Sequence, residues 1–94
     1  MGLYDIIPYI RYSVYRKCPA SDWRIHTRTI PDNEFVLITG GSGQITVEGK
    51  VYTAKPGLLF YFYPGLKHSL ASCNENPLQF FAIHFIYASA QYMN

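Results

Sequence analysis

Turn-forming residues recur about every ten positions along this chain, a spacing that leaves room for short strands and almost none for helices. The breaks are Pro31-Asp32-Asn33, Gly40-Gly41-Ser42-Gly43, Glu48-Gly49-Lys50, Pro56-Gly57, Pro64-Gly65 and Asn74-Glu75-Asn76-Pro77. Between them lie β-like runs at 9–15, 23–30, 34–39, 44–47, 51–54, 58–63, 68–73 and 78–87. In the first run Ile10, Tyr12 and Val14 alternate with Arg11 and Ser13. Glu48-Gly49-Lys50 between two such runs reads as a hairpin turn. Some eight short strands with regular punctuation predict an all-β, antiparallel barrel or sandwich. Only the tail from Ala88 to Met93 holds good helix formers.

The 94 residues allow a single domain, and 49% hydrophobic with 15% charged residues is enough to build one core. The same composition excludes a disordered chain. No apolar run is long enough for a transmembrane helix, and the N-terminus lacks the cationic-then-apolar order of a secretory signal. A cytoplasmic protein without a membrane partner is expected, with Cys18 and Cys73 as two reduced thiols. Net charge is +2, too small for a nucleic-acid footprint. Residues 1–28 hold Arg11, Arg16, Lys17, Arg24 and Arg28 against Asp5 and Asp22, and this basic end reads as a solvated face.

The segment from Glu34 to His68 resembles the two-block pattern of the cupins. Glu34 precedes Gly41 with six residues between, and Gly57 leads through a strand into Pro64-Gly65 and His68. Metal-binding cupins add two histidines one residue apart, shortly before the Glu. Those positions here hold Arg28 and Ile30, or Thr27 and Thr29, none of which is an ordinary ligand for a first-row metal. Glu34 and His68 alone cannot make a three-ligand site, so no metal and no cofactor are expected. Without histidine partners, Glu34 is expected at the surface or in a turn.

Across residues 5–87 the chain also resembles the effector-binding domain of the AraC type of transcriptional regulators. The carrying segments are Trp23-Arg24-Ile25-His26-Thr27-Arg28, Phe35 to Gly43, Val47-Glu48-Gly49-Lys50-Val51-Tyr52, Lys55-Pro56-Gly57-Leu58-Leu59, Pro64-Gly65-Leu66-Lys67-His68 and Phe81-Ala82-Ile83-His84-Phe85. The resemblance implies a cupin-like double-stranded β-helix, a jelly-roll barrel spanning residues 1–94 as one domain. Residues 1–9 would be an arm that folds over a bound effector, and 88–94 the start of a linker or helix. The implied partner is a small-molecule effector, often a sugar, bound without metal. DNA would be reached only through a helix-turn-helix domain that this chain does not contain.

The strand at 78–87 divides into an even set, Phe80, Ala82, His84 and Ile86, and an odd set, Phe81, Ile83, Phe85 and Tyr87. The odd set is uniformly apolar and suits core or interface, which leaves a homodimer open. The even set suits a cavity wall. The resemblance places effector contacts on this face of the strand, which makes His84, Phe80 and Ala82 candidates. His68 either donates to an effector or closes its turn, and Leu70 shares its face. Arg28 sits where the resembling family has an effector-contacting arginine. Its planar fork of five donors suits hydroxyls or a carboxylate. Arg24 and His26 share its parity, and three such side chains do not fit inside one small barrel. Trp23 is either a stacking platform for a sugar ring or an anchor of the core. Tyr9, Tyr12 and Tyr61 are equal candidates for reaching the cavity.

No nucleophile stands beside a base and no carboxylates are paired, so catalysis is not expected. The alternatives are a small metal-dependent cupin enzyme, an isomerase or dioxygenase in which His26, His68 and His84 converge, and a dimerisation module with a filled barrel.

Overall fold

The computed structural model describes residues 6–89, all of whose regular structure is strand. In chain order these are β1 (Ile6–Lys17), β2 (Arg24–Arg28), β3 (Asn33–Gly40), β4 (Gly43–Val47), β5 (Lys50–Ala54), β6 (Leu59–Phe62), β7 (His68–Ser72) and β8 (Gln79–Ser89). Each break read from the sequence contains a junction between two strands, although Asn33, Gly40, Gly43 and Lys50 already belong to the strands themselves. β1 already begins at Ile6, so the second half of the expected arm is paired with β8; residues 1–5 lie outside the described residues. β8 runs on to Ser89, and 90–94 also lie outside them.

Two four-stranded antiparallel sheets result, ordered β1-β8-β3-β6 and β2-β7-β4-β5. All connections but the β4–β5 hairpin cross from one sheet to the other, which is the jelly-roll topology. That hairpin closes over Glu48 and Gly49 at φ 48° and 81°. Positive φ at both central residues marks the turn whose twist matches the strands it joins. Glu48 holds this conformation by exchanging backbone and side-chain hydrogen bonds with Lys67: its N–H donates to the Lys67 carbonyl at 3.0 Å, and its Oε1 accepts from the Lys67 N–H at 3.2 Å. Between β3 and β4, Gly41 has φ 71°, and a Cβ there would collide with the Pro77 carbonyl.

The inner faces of the sheets meet in one core. Val36, Ile38, Phe62, Phe80 and Ala82 come from the first sheet and Ile45, Ala54 and Leu70 from the second. Leu66, Leu78 and Cys18 close its ends. Two bulges alter the simple alternation. On β1, Ile10 lies opposite Phe85 but Tyr12 lies opposite His84, so Arg11 is an extra residue. Ile10 therefore leaves the face that the sequence assigned it with Tyr12 and Val14. On β2, Ile25 lies opposite Leu70 but Arg28 lies opposite His68, three residues against two. Ile25 and Arg28 both turn inward, and the conflict of Arg24, His26 and Arg28 over one interior does not arise.

Candidate functional site

The strand register brings distant polar residues onto one rung. Across the first sheet Tyr12, His84, Glu34 and Phe62 lie side by side on β1, β8, β3 and β6. The second sheet supplies Arg28 and His68, paired across β2 and β7. The two rungs meet at Glu34. His84 Nε2 stands 2.8 Å from Glu34 Oε2. His68 Nε2 is 3.6 Å from Glu34 Oε1, and Arg28 Nη2 is 3.8 Å from the same oxygen.

Glu34 is only 3% exposed, which overturns the expectation of a surface or turn position. The reason is the register: Glu34 takes an inward position of β3 directly beside His84. A lone carboxylate at such depth is costly, and a buried charge survives only with partners. Its partners are the imidazoles of His84 and His68 and the guanidinium of Arg28, all within ion-pair distance. The Tyr12 ring lies flat on the His84 ring, centroids 4.1 Å apart, with its hydroxyl 3.0 Å from His84 Nε2. His68 is fixed from two sides. Its Nδ1 stands 3.0 Å from the Leu66 carbonyl, so that nitrogen bears the proton and donates it. Its ring stacks on Phe62 with centroids 4.2 Å apart. Both constraints aim Nε2 at Glu34. Three buried polar atoms here have no hydrogen-bond partner within the protein: Glu34 Oε1, His68 Nε2 and Arg28 Nε.

This cluster forms the inner end of a cavity of 590 Å³ between β1 and β2, the edge strands of the two sheets. Tyr12, Val14 and Arg16 line it from β1, while Trp23, Arg24, Ile25 and Arg28 line it from the β2 side. Phe80, Ala82 and His84 of β8 form its floor. Arg16 places its guanidinium 5.4 Å over the Trp23 ring, and Trp23 in turn packs on Phe80. The sequence candidates thus separate into two groups. Arg28, His84, Trp23, Phe80 and Ala82 come together on the cavity wall. His68 and Leu70 lie behind it, His68 touching the cavity only through Glu34 and Leu70 packed in the core. His26 is exposed.

Beyond the sequence candidates, the cavity wall also holds Tyr12, Ser13, Val14, Arg16, Arg24, Ile25 and Glu34. Arg16 and Arg24 are exposed, as the sequence implies, and also line the cavity; Tyr12, Val14 and Arg16 share a parity that marks them as one row. Tyr12 could not be separated from Tyr9 and Tyr61; its place beside His84 distinguishes it.

Among the described residues no three His, Cys, Asp or Glu side chains are arranged to hold a metal ion. The Arg28 guanidinium already supplies a cation beside Glu34. Nor do the two cysteines form a centre. Burial pushes the Cys18 thiol up from its ordinary pKa, while hydrogen bonds from the Glu75 and Asn76 backbone pull Cys73 down.

The model of the AraC-like ligand-binding domain family matches residues 15–91. No curated protein sequence matches the chain. Among solved structures, a cupin protein from Bacteroides fragilis superposes with a TM-score of 0.68 at 20% identity, over 77% of this chain and 62% of its own. A cupin 2 conserved barrel domain protein from Salinispora arenicola gives 0.68 at 12%, over 84% and 74%. Oxalate decarboxylase from Bacillus subtilis, a protein with Mn(II) centres, gives 0.59 at 23%, over 77% of this chain and 20% of its own. The chain therefore spans less than two thirds of the Bacteroides protein and a fifth of the decarboxylase. At these identities the likeness shows a shared cupin fold.

Proposed function

The chain belongs to the AraC-like ligand-binding domain family, and from that premise we propose that the cavity between β1 and β2 is its effector site. A small polar molecule, with carbohydrates as the leading class, binds there without metal. Its presence is signalled to a helix-turn-helix DNA-binding domain of the same regulator, in the cytoplasm. The observation that carries this reading is the inner end of the cavity, where Glu34 Oε1 and Arg28 Nε are buried and make no hydrogen bond within the protein. Such groups cost stability until something meets them, and a guest with hydroxyl groups meets both donor and acceptor.

Arg28, His84, Trp23, Phe80 and Ala82 make the contacts in this reading. His68 acts through Glu34, and Leu70 backs the wall. The signal follows from position. The guest touches β1 and β2, which are edge strands of different sheets and face each other across the cavity. Binding ties these edges together, and that shifts a regulator only so far as the two states differ in affinity for the guest.

A thermal-shift screen of sugars and small acids tests the reading. An effector at about 100 times its dissociation constant adds roughly 2.7 kcal/mol of stability. The reading fails if no compound shifts the wild-type protein differently from a Glu34→Leu variant. The approach of His68 and His84 to Glu34 sustains one other reading, a metal-dependent cupin enzyme. It needs a further ligand that exposed His26 does not provide. A stoichiometric transition metal in the purified protein would restore it.

A further inference from the structure

We infer that the guest is a sugar acid, a polyhydroxylated monocarboxylate that enters hydroxyl end first and leaves its carboxylate on Arg16. This inference rests on the effector-site reading and names the class of molecule that the site takes.

The two ends of the cavity ask for different chemistry. At the inner end, Glu34 Oε1 accepts and Arg28 Nε donates, and both are buried without a hydrogen bond in the protein. A carboxylate placed there would satisfy Arg28 and repel Glu34. An ammonium group would do the reverse. A hydroxyl both accepts and donates, so one hydroxyl meets the two groups together.

The outer end is cationic. Arg24 is paired with Asp22 at 2.5 Å, and Arg28 faces Glu34. Arg16 has no carboxylate within ion-pair distance among the described residues. Its guanidinium is held over Trp23 rather than by an acid. One uncompensated cation calls for one negative charge. A carboxylate supplies that and matches the guanidinium fork, whereas a phosphate monoester brings about −1.5 to −2 at neutral pH. Between the ends, Val14, Trp23, Phe80 and Ala82 present apolar surface to the C–H face of a ring or chain. A guest with hydroxyls at one end, a carboxylate at the other and a C–H face between answers all three regions.

Calorimetric titration of the 94-residue chain with D-glucuronate, D-galacturonate and D-gluconate, each beside D-glucose or D-galactose and with D-glucose 6-phosphate as the phosphate arm, tests this. At least one of the acids is expected to bind about tenfold or more tightly than its neutral counterpart, as a charge-assisted pair adds. Arg16→Gln brings that ratio to about one. Arg11→Gln, whose side chain pairs with Asp32 away from the cavity, leaves the ratio as it is. Neutral sugars binding as well as the acids overturn the inference and leave the effector site standing. So does tighter binding of the phosphate, or a ratio that survives Arg16→Gln. If no member of the panel binds, the sugar-acid inference is lost, and the effector-site reading is decided by the wider thermal-shift screen.

Discussion

The two faces of the sheet β1-β8-β3-β6 differ by one residue along each strand, and at one rung they invert the usual relation of polarity to depth. On the inner face Tyr12, His84, Glu34 and Phe62 form one rung. The next rung outward is Ser13, Ile83, Phe35 and Tyr61, followed on the same face by Tyr15, Phe81, Leu37 and Leu59. The rung holding a carboxylate and an imidazole is the buried one, while Phe81 and Leu59 are 47% and 59% exposed. Outer side chains leave a shallow groove of 350 Å³ lined almost wholly by carbon. Burial on the inner face is imposed by the second sheet, whose His68 and Arg28 stand over Glu34. Polar groups therefore sit deep because a facing layer supplies their partners, and apolar groups stay open because no layer of the described chain covers them.

The largest test of this contrast compares two phenylalanines. Phe62 is fully buried and holds the His68 ring. Phe62→Ala is expected to cost about 3–5 kcal/mol in urea unfolding. Phe81→Ala on the outer face should cost under about 1 kcal/mol. Equal losses would mean that the two faces are buried alike. Next, Ala82→Leu pushes a larger side chain into the cavity floor and a well-filled core. A loss of about 1–3 kcal/mol is expected, with loss of ligand-induced stabilisation. Leu59→Lys, on the outer face, should stay within about 0.5 kcal/mol and keep that stabilisation. A Leu59→Lys variant that no longer responds to ligand would move the binding site to the outer face.

The smallest test uses the thiols, where the same division of depth appears. Desolvation raises the pKa of buried Cys18, so it stays protonated to higher pH. Hydrogen bonds lower that of Cys73, so its thiolate appears at lower pH. Iodoacetamide should modify Cys73 first, with a rate that rises through a midpoint below that of an ordinary thiol. Faster modification of Cys18 would contradict both directions.

The strand content was readable because its signals are local. Proline, glycine and asparagine mark each turn, and alternation within a strand assigns a face. On β8 that rule separates the two sets, and it takes the facing sheet to bury Phe80, Ala82 and His84. Two things were not local. A bulge needs knowledge of the partner strand, and the extra residue on β2 is what sends Arg28 inward beside His68. The partners of Glu34 come from β8 and β7, far along the chain, and no spacing near Glu34 announces them. Arg16 was hidden differently. Its charge reads as a surface residue, and only the gap between two edge strands turns that surface into a cavity wall.

The central claim is that a guest binds against Glu34 and its imidazoles. Long-range proton–nitrogen spectra of the three histidine rings, recorded while the protein is saturated with a ligand from the thermal-shift screen, report on it directly. The account predicts that the ring nitrogens of His84 move most and His68 Nε2 follows, while those of exposed His26 stay in place. Saturation that shifts His26 alone, or none of the three, would contradict it.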